Sequence, residues 1–212
     1  MTKLFLLTLL SFFYCGSRTQ TVVKIDTLPY LNIYSFSRGE NNTLISAAGY
    51  GYEDVGGFKM VRFSPDLSSE VLAVLSSTAV RRAGSGIAAD KTGNLYTSYY
   101  SLGTVSIGSS TVGGGTHFFK FDALGKLLWV KPLPFCMNTE ISSRNGFIYL
   151  KGTCGILKLD TAGNLSTTIP DPYDQKYHAV ASDGSVYTAT SRPLGHICKK
   201  DLRRWNTVME RF

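Results

Sequence analysis

The chain of 212 residues is 43% hydrophobic and 17% charged, enough apolar material for a packed core and too much for a disordered segment. Its net charge of +7 is partly local, because Lys199, Lys200, Arg203, Arg204 and Arg211 crowd the C-terminus against only Asp201 and Glu210. A basic tail suits anionic lipid or an acidic partner, but no nucleic-acid recognition signature accompanies it, so a solvated basic face is the simpler reading. The 21 Gly, 12 Tyr and 12 Phe, spread among Val, Ile and Thr, are what many short strands joined by tight turns require. No stretch repeats apolar residues at helical spacing over the length a stable helix needs.

Residues 1–19 read as a processing leader. Lys3 precedes the apolar run 4–14, which is shorter than the roughly 20 residues a bilayer span needs but suits a signal-peptide core. Cys15 follows directly and stands where bacterial lipoproteins carry their acylated cysteine, although Phe12, Phe13 and Tyr14 occupy positions where small residues belong. An ordinary leader cut nearby, or a retained apolar anchor, is the alternative. The expectation is export to the cell envelope, periplasm or outer surface, with membrane contact only through a lipid on Cys15. Residues 20–33 read as a lead-in strand.

From residue 34 onward two kinds of segment alternate. The first is a strand, a tight polar turn and an aromatic-rich strand. Its copies are Gly86-Ile-Ala-Ala-Asp-Lys-Thr-Gly-Asn-Leu-Tyr96, Glu140-Ile-Ser-Ser-Arg-Asn-Gly-Phe-Ile-Tyr149 and Ala179-Val-Ala-Ser-Asp-Gly-Ser-Val-Tyr187, with a weaker copy beginning at Tyr34. The second places an aspartate at the end of an alternating strand: Phe118-Phe-Lys-Phe-Asp122, Gly155-Ile-Leu-Lys-Leu-Asp160, and versions ending at Asp66 and Asp201. The aspartates are placed to cap the turn backbone, with Gly or Asn where φ must be positive. Each pair of segments makes four antiparallel strands, and equivalent residues recur at spacings from 38 to 56, around one propeller blade. The expected fold is therefore all-β, a β-propeller of about four four-stranded antiparallel blades over 34–76, 84–134, 138–170 and 177–212. Four is the lower limit for closure, so a shortened or open ring stays open as a reading, with self-association at its edges. A plain sandwich or barrel is the structural alternative.

The phrase Ala-Asp-Lys-Thr-Gly-Asn-Leu-Tyr96, followed by Phe-Phe-Lys-Phe-Asp122-Ala-Leu-Gly-Lys-Leu-Leu-Trp129, resembles the β-propeller repeats of bacterial exported proteins. The SBBP type is the nearest comparison, and pyrroloquinoline-quinone-enzyme-like repeats are a second. The resemblance is strong over 84–170 and weaker at both ends. It implies architecture and says little of chemistry, because propellers host many unrelated functions.

Strand parity puts the short turns on one face and the long segments 49–57, 99–116, 169–178 and 190–195 on the other. Two long segments join aromatic faces to carboxylates: Tyr50, Tyr52, Glu53 and Asp54 in one, Asp171, Tyr173, Asp174 and His178 in the other. Aromatics stack on sugar rings, and carboxylates accept hydrogen bonds from hydroxyls, so these eight are the candidate ligand-binding residues. Solvated loops with Tyr packed over the blade tops are the plainer alternative. No nucleophile elbow, zinc pair or dinucleotide fingerprint is present, so no catalytic residue, metal or cofactor is assigned. The turn aspartates lack calcium-loop spacing. His117 and His196 each stand five residues before a repeat aspartate, which argues for a shared place in the blade over a catalytic pair.

A turn centred on Asn145 would set Ser143 opposite Phe147 and, in the same register, Cys136 opposite Cys154, a geometry that admits a disulfide. Free buried thiols are the alternative, and Cys198 is unpaired in either case. The leading functional expectation is a non-catalytic exported propeller that binds a protein or glycan, with no nucleic-acid partner. The alternative is a propeller enzyme, a lyase or glycan hydrolase using Glu53, Asp54, Asp174 and His178. A truncated remnant without function is a third.

Overall fold

The computed structural model describes residues 32–52, 55–66, 68–79, 86–133, 138–153, 155–170, 177–189 and 210–211. The leader with Cys15, and Cys136, Cys154 and Cys198, lie outside the described residues. Apart from one 3-10 turn at Glu40–Asn42, every regular element among them is a strand.

The first blade is a meander of β1 (Asn32–Arg38), β2 (Leu44–Tyr52), β3 (Val55–Phe63) and β4 (Ser69–Ser77). The second begins with β5 (Ile87–Ala89) and β6 (Leu95–Ser101). It is interrupted by the hairpin β7 (Val105–Ile107) and β8 (Ser110–Val112), and resumes with β9 (Gly115–Phe121) and β10 (Leu127–Pro132). The third is β11 (Asn138–Arg144), β12 (Phe147–Gly152), β13 (Gly155–Asp160) and β14 (Leu165–Ile169). Of the fourth, β15 (Tyr177–Val180), β16 (Val186–Ala189) and β17 (Glu210–Arg211) are described, paired in that order. The first strands lie side by side, β1 against β5, β5 against β11 and β11 against β15, and form the inner wall of the array.

The alternation of each strand decides which junction it fills, because successive side chains leave opposite faces. On β6, Leu95 and Tyr99 enter the core between the first two blades, with Phe58, Met60, Leu75, Ile87, Phe119 and Phe121. Its neighbour Tyr96 enters the next core, with Phe118, Ile148, Leu150, Leu157 and Leu159. Tyr149, Ile156 and Val186 make the core between blades three and four. The two aromatic neighbours Phe118 and Phe119 thus serve different junctions. Phe36 on β1 is 48% exposed, whereas Ile87 on β5 is 2% exposed, so the first blade presents an apolar inner-strand residue of a kind the second blade buries.

Among the described residues the repeat aspartates cap their turns, Asp66 by accepting the Ser68 N–H at 3.0 Å. Oδ1 of Asp122 accepts the backbone N–H groups of Leu124 and Lys126, both at 2.9 Å, and Oδ1 of Asp160 accepts that of Asn164 at 2.8 Å. Backbone and side-chain hydrogen bonds from Asn164 hold the Asp160 carboxyl below the usual carboxylate range. Asp90 is the fullest cap: it accepts the N–H groups of Thr92 at 2.9 Å and Asn94 at 3.0 Å, the Asn94 amide at 3.0 Å and the Tyr96 hydroxyl at 2.8 Å. Burial pushes its carboxyl up, but hydrogen bonds from Asn94, Thr92 and Tyr96 outweigh that and hold it low. The folded carboxyl therefore has the lower pKa, so its contribution is complete above the unfolded value and is lost as pH falls through the folded one. Asp90→Asn is expected to lower the melting temperature at neutral pH and to flatten the loss of stability on acidification. An acid limb identical to that of the unaltered protein would show that Asp90 does not cap this turn.

The same face carries contacts from one blade to the next. The Arg62 guanidinium donates to the carbonyl of Ala123, and Lys120 Nζ to that of Thr161 at 3.1 Å, each acceptor directly following a turn aspartate. Asn145 donates to Ser182 O at 2.6 Å and Lys131 to Asn164 Oδ1 at 2.8 Å.

Two expectations need correction. The segment 99–116 is not an open loop: β7 pairs with β4 of the preceding blade, Leu75 opposite Ile107 and Ser77 opposite Val105, and makes that sheet six-stranded. Val105 and Ile107 are buried in the first core, which is what their alternation with Ser106 supplies. Likewise 49–57 is mostly ladder, with Tyr50 opposite Gly57 and Tyr52 opposite Val55. The turn after β11 is also not centred on Asn145. Asn145 and Gly146 have φ of 52° and 76°, a two-residue primed turn, so Arg144 stands opposite Phe147 and Ser143 opposite Ile148. A bulge between Asn138 and Glu140 takes up the difference and sets Asn138 opposite Gly152.

Candidate functional site

The inner strands are held to one another by side chains. Ser35 and Ser37 on β1 point at β5, where their hydroxyl oxygens accept the N–H groups of Ile87 at 2.8 Å and Ala89 at 3.1 Å. These N–H groups lie on the edge of β5 that no described strand pairs, and an unpaired buried donor is costly. Between β5 and β11 the chains come close: a Cβ on Gly86 would sit 3.1 Å from the backbone nitrogen of Ile141 and 3.3 Å from Ser35 Oγ, so a side chain there requires its neighbours to give by a few tenths of an ångström.

At the junction of the third and fourth blades the same arrangement returns with different chemistry. Glu140 and Ser142, two apart on β11 and so on one face, point at β15. Oε2 of Glu140 accepts the backbone N–H of His178 at 3.1 Å, as Ser35 does for Ile87, and the same oxygen also lies 2.9 Å from His178 Nδ1. The other ring nitrogen, Nε2, lies 3.0 Å from Ser142 Oγ. A carboxylate can only accept, so Nδ1 carries the proton and Nε2 is left to accept the hydroxyl proton of Ser142. The imidazole is 1% exposed and the Glu140 side chain 32% exposed, so a closed histidine connects two groups that solvent reaches in part.

Of the eight candidate ligand residues, His178 is the one the structure describes in full. It does not stand in an open loop as a free base but is locked between two side chains of the neighbouring inner strand. Tyr50 and Tyr52 are placed in the β2–β3 ladder near its tip, while Glu53, Asp54, Asp171, Tyr173 and Asp174 lie outside the described residues. Glu140 and Ser142 escaped the sequence reading because they stand inside a repeat strand. The available signal was the substitution pattern: Gly86 and Ala88 in the second blade become Glu140 and Ser142 in the third. His117 has a packing role on β9, its ring 6.1 Å from that of Phe119, and burial lowers its pKa. His196 lies outside the described residues.

Four successive antiparallel sheets, joined through their first strands and sharing a core at each junction, define a β-propeller protein. No family model matches the chain, and no curated protein sequence matches it. Solved structures do match in fold. A gluconolactonase from Xanthomonas campestris is 12% identical, with a TM-score of 0.50 over 73% of this chain and 52% of that one. The PQQ-bound aldose sugar dehydrogenase of Streptomyces coelicolor is 10% identical, with a TM-score of 0.47 over 74% and 56%. BamB from Moraxella catarrhalis is 10% identical, with a TM-score of 0.33 over 74% and 80%. These neighbours are β-propeller proteins, and the chain spans 56%, 54% and 52% of the first three solved structures it matches.

Proposed function

We propose that this propeller is an exported binding module that takes a protein or glycan on the face opposite its latched turns. The observation that carries the reading is the division of labour between the two ends of the blades. The contacts from Arg62, Lys120, Lys131 and Asn145 occupy the short-turn end, and strand parity sends the tip of the β2–β3 ladder, with Tyr50 and Tyr52, to the other; Glu53 and Asp54 follow Tyr52 in the sequence. Asp171, Tyr173 and Asp174 immediately precede β15 in the sequence. Tyrosine supplies a broad flat contact at low entropic cost, and the carboxylates beside it supply acceptors for sugar hydroxyls or for basic side chains. What supports an envelope location is the leader-like sequence of residues 1–19 with Cys15 as a lipid attachment site, together with the resemblance of residues 84–170 to SBBP-type repeats.

The test is binding of the chain from residue 20 to arrayed oligosaccharides and to immobilised envelope proteins. Tyr52→Ala combined with Tyr173→Ala is expected to weaken the tightest binding found by about tenfold or more, as loss of aromatic anchors does. Unchanged affinity in the double variant would remove this face from the function.

A further inference from the structure

We propose that Ser142, His178 and Glu140 form a nucleophilic acyl-transfer site on the inner wall of the propeller, acting on carboxylic esters. The three side chains come from strands 38 residues apart and meet with the connectivity such chemistry needs: hydroxyl to Nε2 at 3.0 Å, Nδ1 to carboxylate at 2.9 Å. The arrangement exceeds what blade packing demands. At the first junction serine alone satisfies the edge N–H of the next inner strand, with Ser35 doing for Ile87 what Glu140 does for His178. A second hydrogen bond accepted by Glu140, from the imidazole, and a third group at Nε2 serve no backbone donor. Two other blades carry alanine at the place of Ser142, Ala88 opposite Tyr96 and Ala179 opposite Tyr187, and the first carries Ser37, whose hydroxyl accepts the Ala89 N–H at 3.1 Å, whereas the Ser142 hydroxyl meets an imidazole.

The step balances without a cofactor. As Ser142 Oγ bonds to the ester carbonyl carbon, its proton passes to His178 Nε2 and the carbonyl π pair moves onto oxygen. The Glu140 carboxylate faces the positive imidazolium so formed. Collapse of the tetrahedral adduct breaks the bond to the leaving alkoxide, which takes the proton from Nε2 and departs as alcohol. Water then repeats the sequence on the acyl-Ser142 ester, giving its proton to Nε2 and its oxygen to the acyl carbon, and Ser142 recovers its proton as the carboxylic acid leaves. Glu140 touches no reacting atom and is a positioning residue: it fixes the tautomer and the ring plane. Ser142 is part-exposed, on the strand that borders the inner wall, and the imidazole behind it is closed to water.

The experiment exposes the whole chain to a fluorophosphonate probe and, separately, follows hydrolysis of 4-nitrophenyl acetate. One phosphonyl group is expected on Ser142, located by peptide mass spectrometry. Ser142→Ala, a residue other blades carry at this place, is expected to fold normally, to lose the adduct, and to lower turnover by about a thousandfold or more. His178→Gln is expected to slow both labelling and turnover by a similar factor, and Glu140→Gln to lower kcat while leaving KM unchanged. No adduct on Ser142 in the unaltered protein overturns the proposal, and so does labelling or turnover that survives Ser142→Ala. Because the adduct is read on the unaltered chain, failure of a variant to fold leaves the result decisive.

Discussion

Replacing Phe118 by alanine is expected to lower the free energy of unfolding by about 3–5 kcal/mol, the range for emptying a buried aromatic site. Phe118 has no exposed surface and stands in the core shared by the second and third blades. Its ring stacks on Tyr96 at 5.9 Å and meets Trp129 edge-on at 5.3 Å, while Leu150, Leu157 and Leu159 of the third blade close the same cluster. Truncation therefore removes a junction contact as well as apolar area, and a rigid pair of sheets cannot collapse to fill the space. Urea unfolding followed by tryptophan fluorescence reads the effect directly, since Trp129 reports on the same cluster. A loss below about 1 kcal/mol would mean that the two blades are not joined through this ring.

Gly125→Ala is the second large effect, and its comparison with Gly146→Ala makes it specific. Both glycines have positive φ, 83° and 76°, so alanine at either position carries the left-handed backbone penalty of about 1–2 kcal/mol. They differ in surroundings. A Cβ at Gly146 would meet nothing within 4 Å, whereas one at Gly125 would lie 2.2 Å from the carbonyl oxygen of Leu72 and 2.5 Å from its carbon. The obstacle is backbone of the preceding blade, which no rotamer change relieves, so overpacking adds roughly 1–3 kcal/mol to the strain. Gly125→Ala is expected to lose about 2–5 kcal/mol in chemical denaturation and Gly146→Ala about 1–2 kcal/mol. Equal losses would show that the turn at Asp122 does not press on β4.

Much of the repeat was legible because its signals are local. The Asp90-to-Asn94 turn announces itself through a carboxylate that reaches N–H groups two and four residues on, and the structure shows both bonds. The aromatic-rich run after that turn reads as a half-buried strand, and Leu95–Ser101 is a strand, but one buried on both faces because a neighbouring blade covers each side. The fate of 99–116 was less legible. Val105-Ser-Ile107 alternates like any half-buried strand, but nothing in those residues says that their partner is β4 of the preceding blade and not a neighbour in their own. The Asn145-Gly146 turn was read one residue off. Its type depends on two positive φ values whose need arises from the twist of the flanking strands.

The candidate site divides in the same way. His178 drew notice as a histidine closing the long segment 169–178, among aromatics and carboxylates adjacent in sequence. Glu140 and Ser142 did not, because inside β11 they look like ordinary alternating polar positions, and their meaning depends on what the next blade sets before them. Latches such as Lys120 to Thr161, 41 residues apart, share this property. Composition, alternation and turn chemistry determined by themselves that this chain folds into successive antiparallel four-stranded units with capped turns, since each of those terms acts over a few residues. Which edge the inserted hairpin extends, which junction each aromatic ring fills, and which carboxylate meets which imidazole were decided only when sheet packed on sheet. Those energies come from surfaces that are distant in the chain and adjacent only in the folded array.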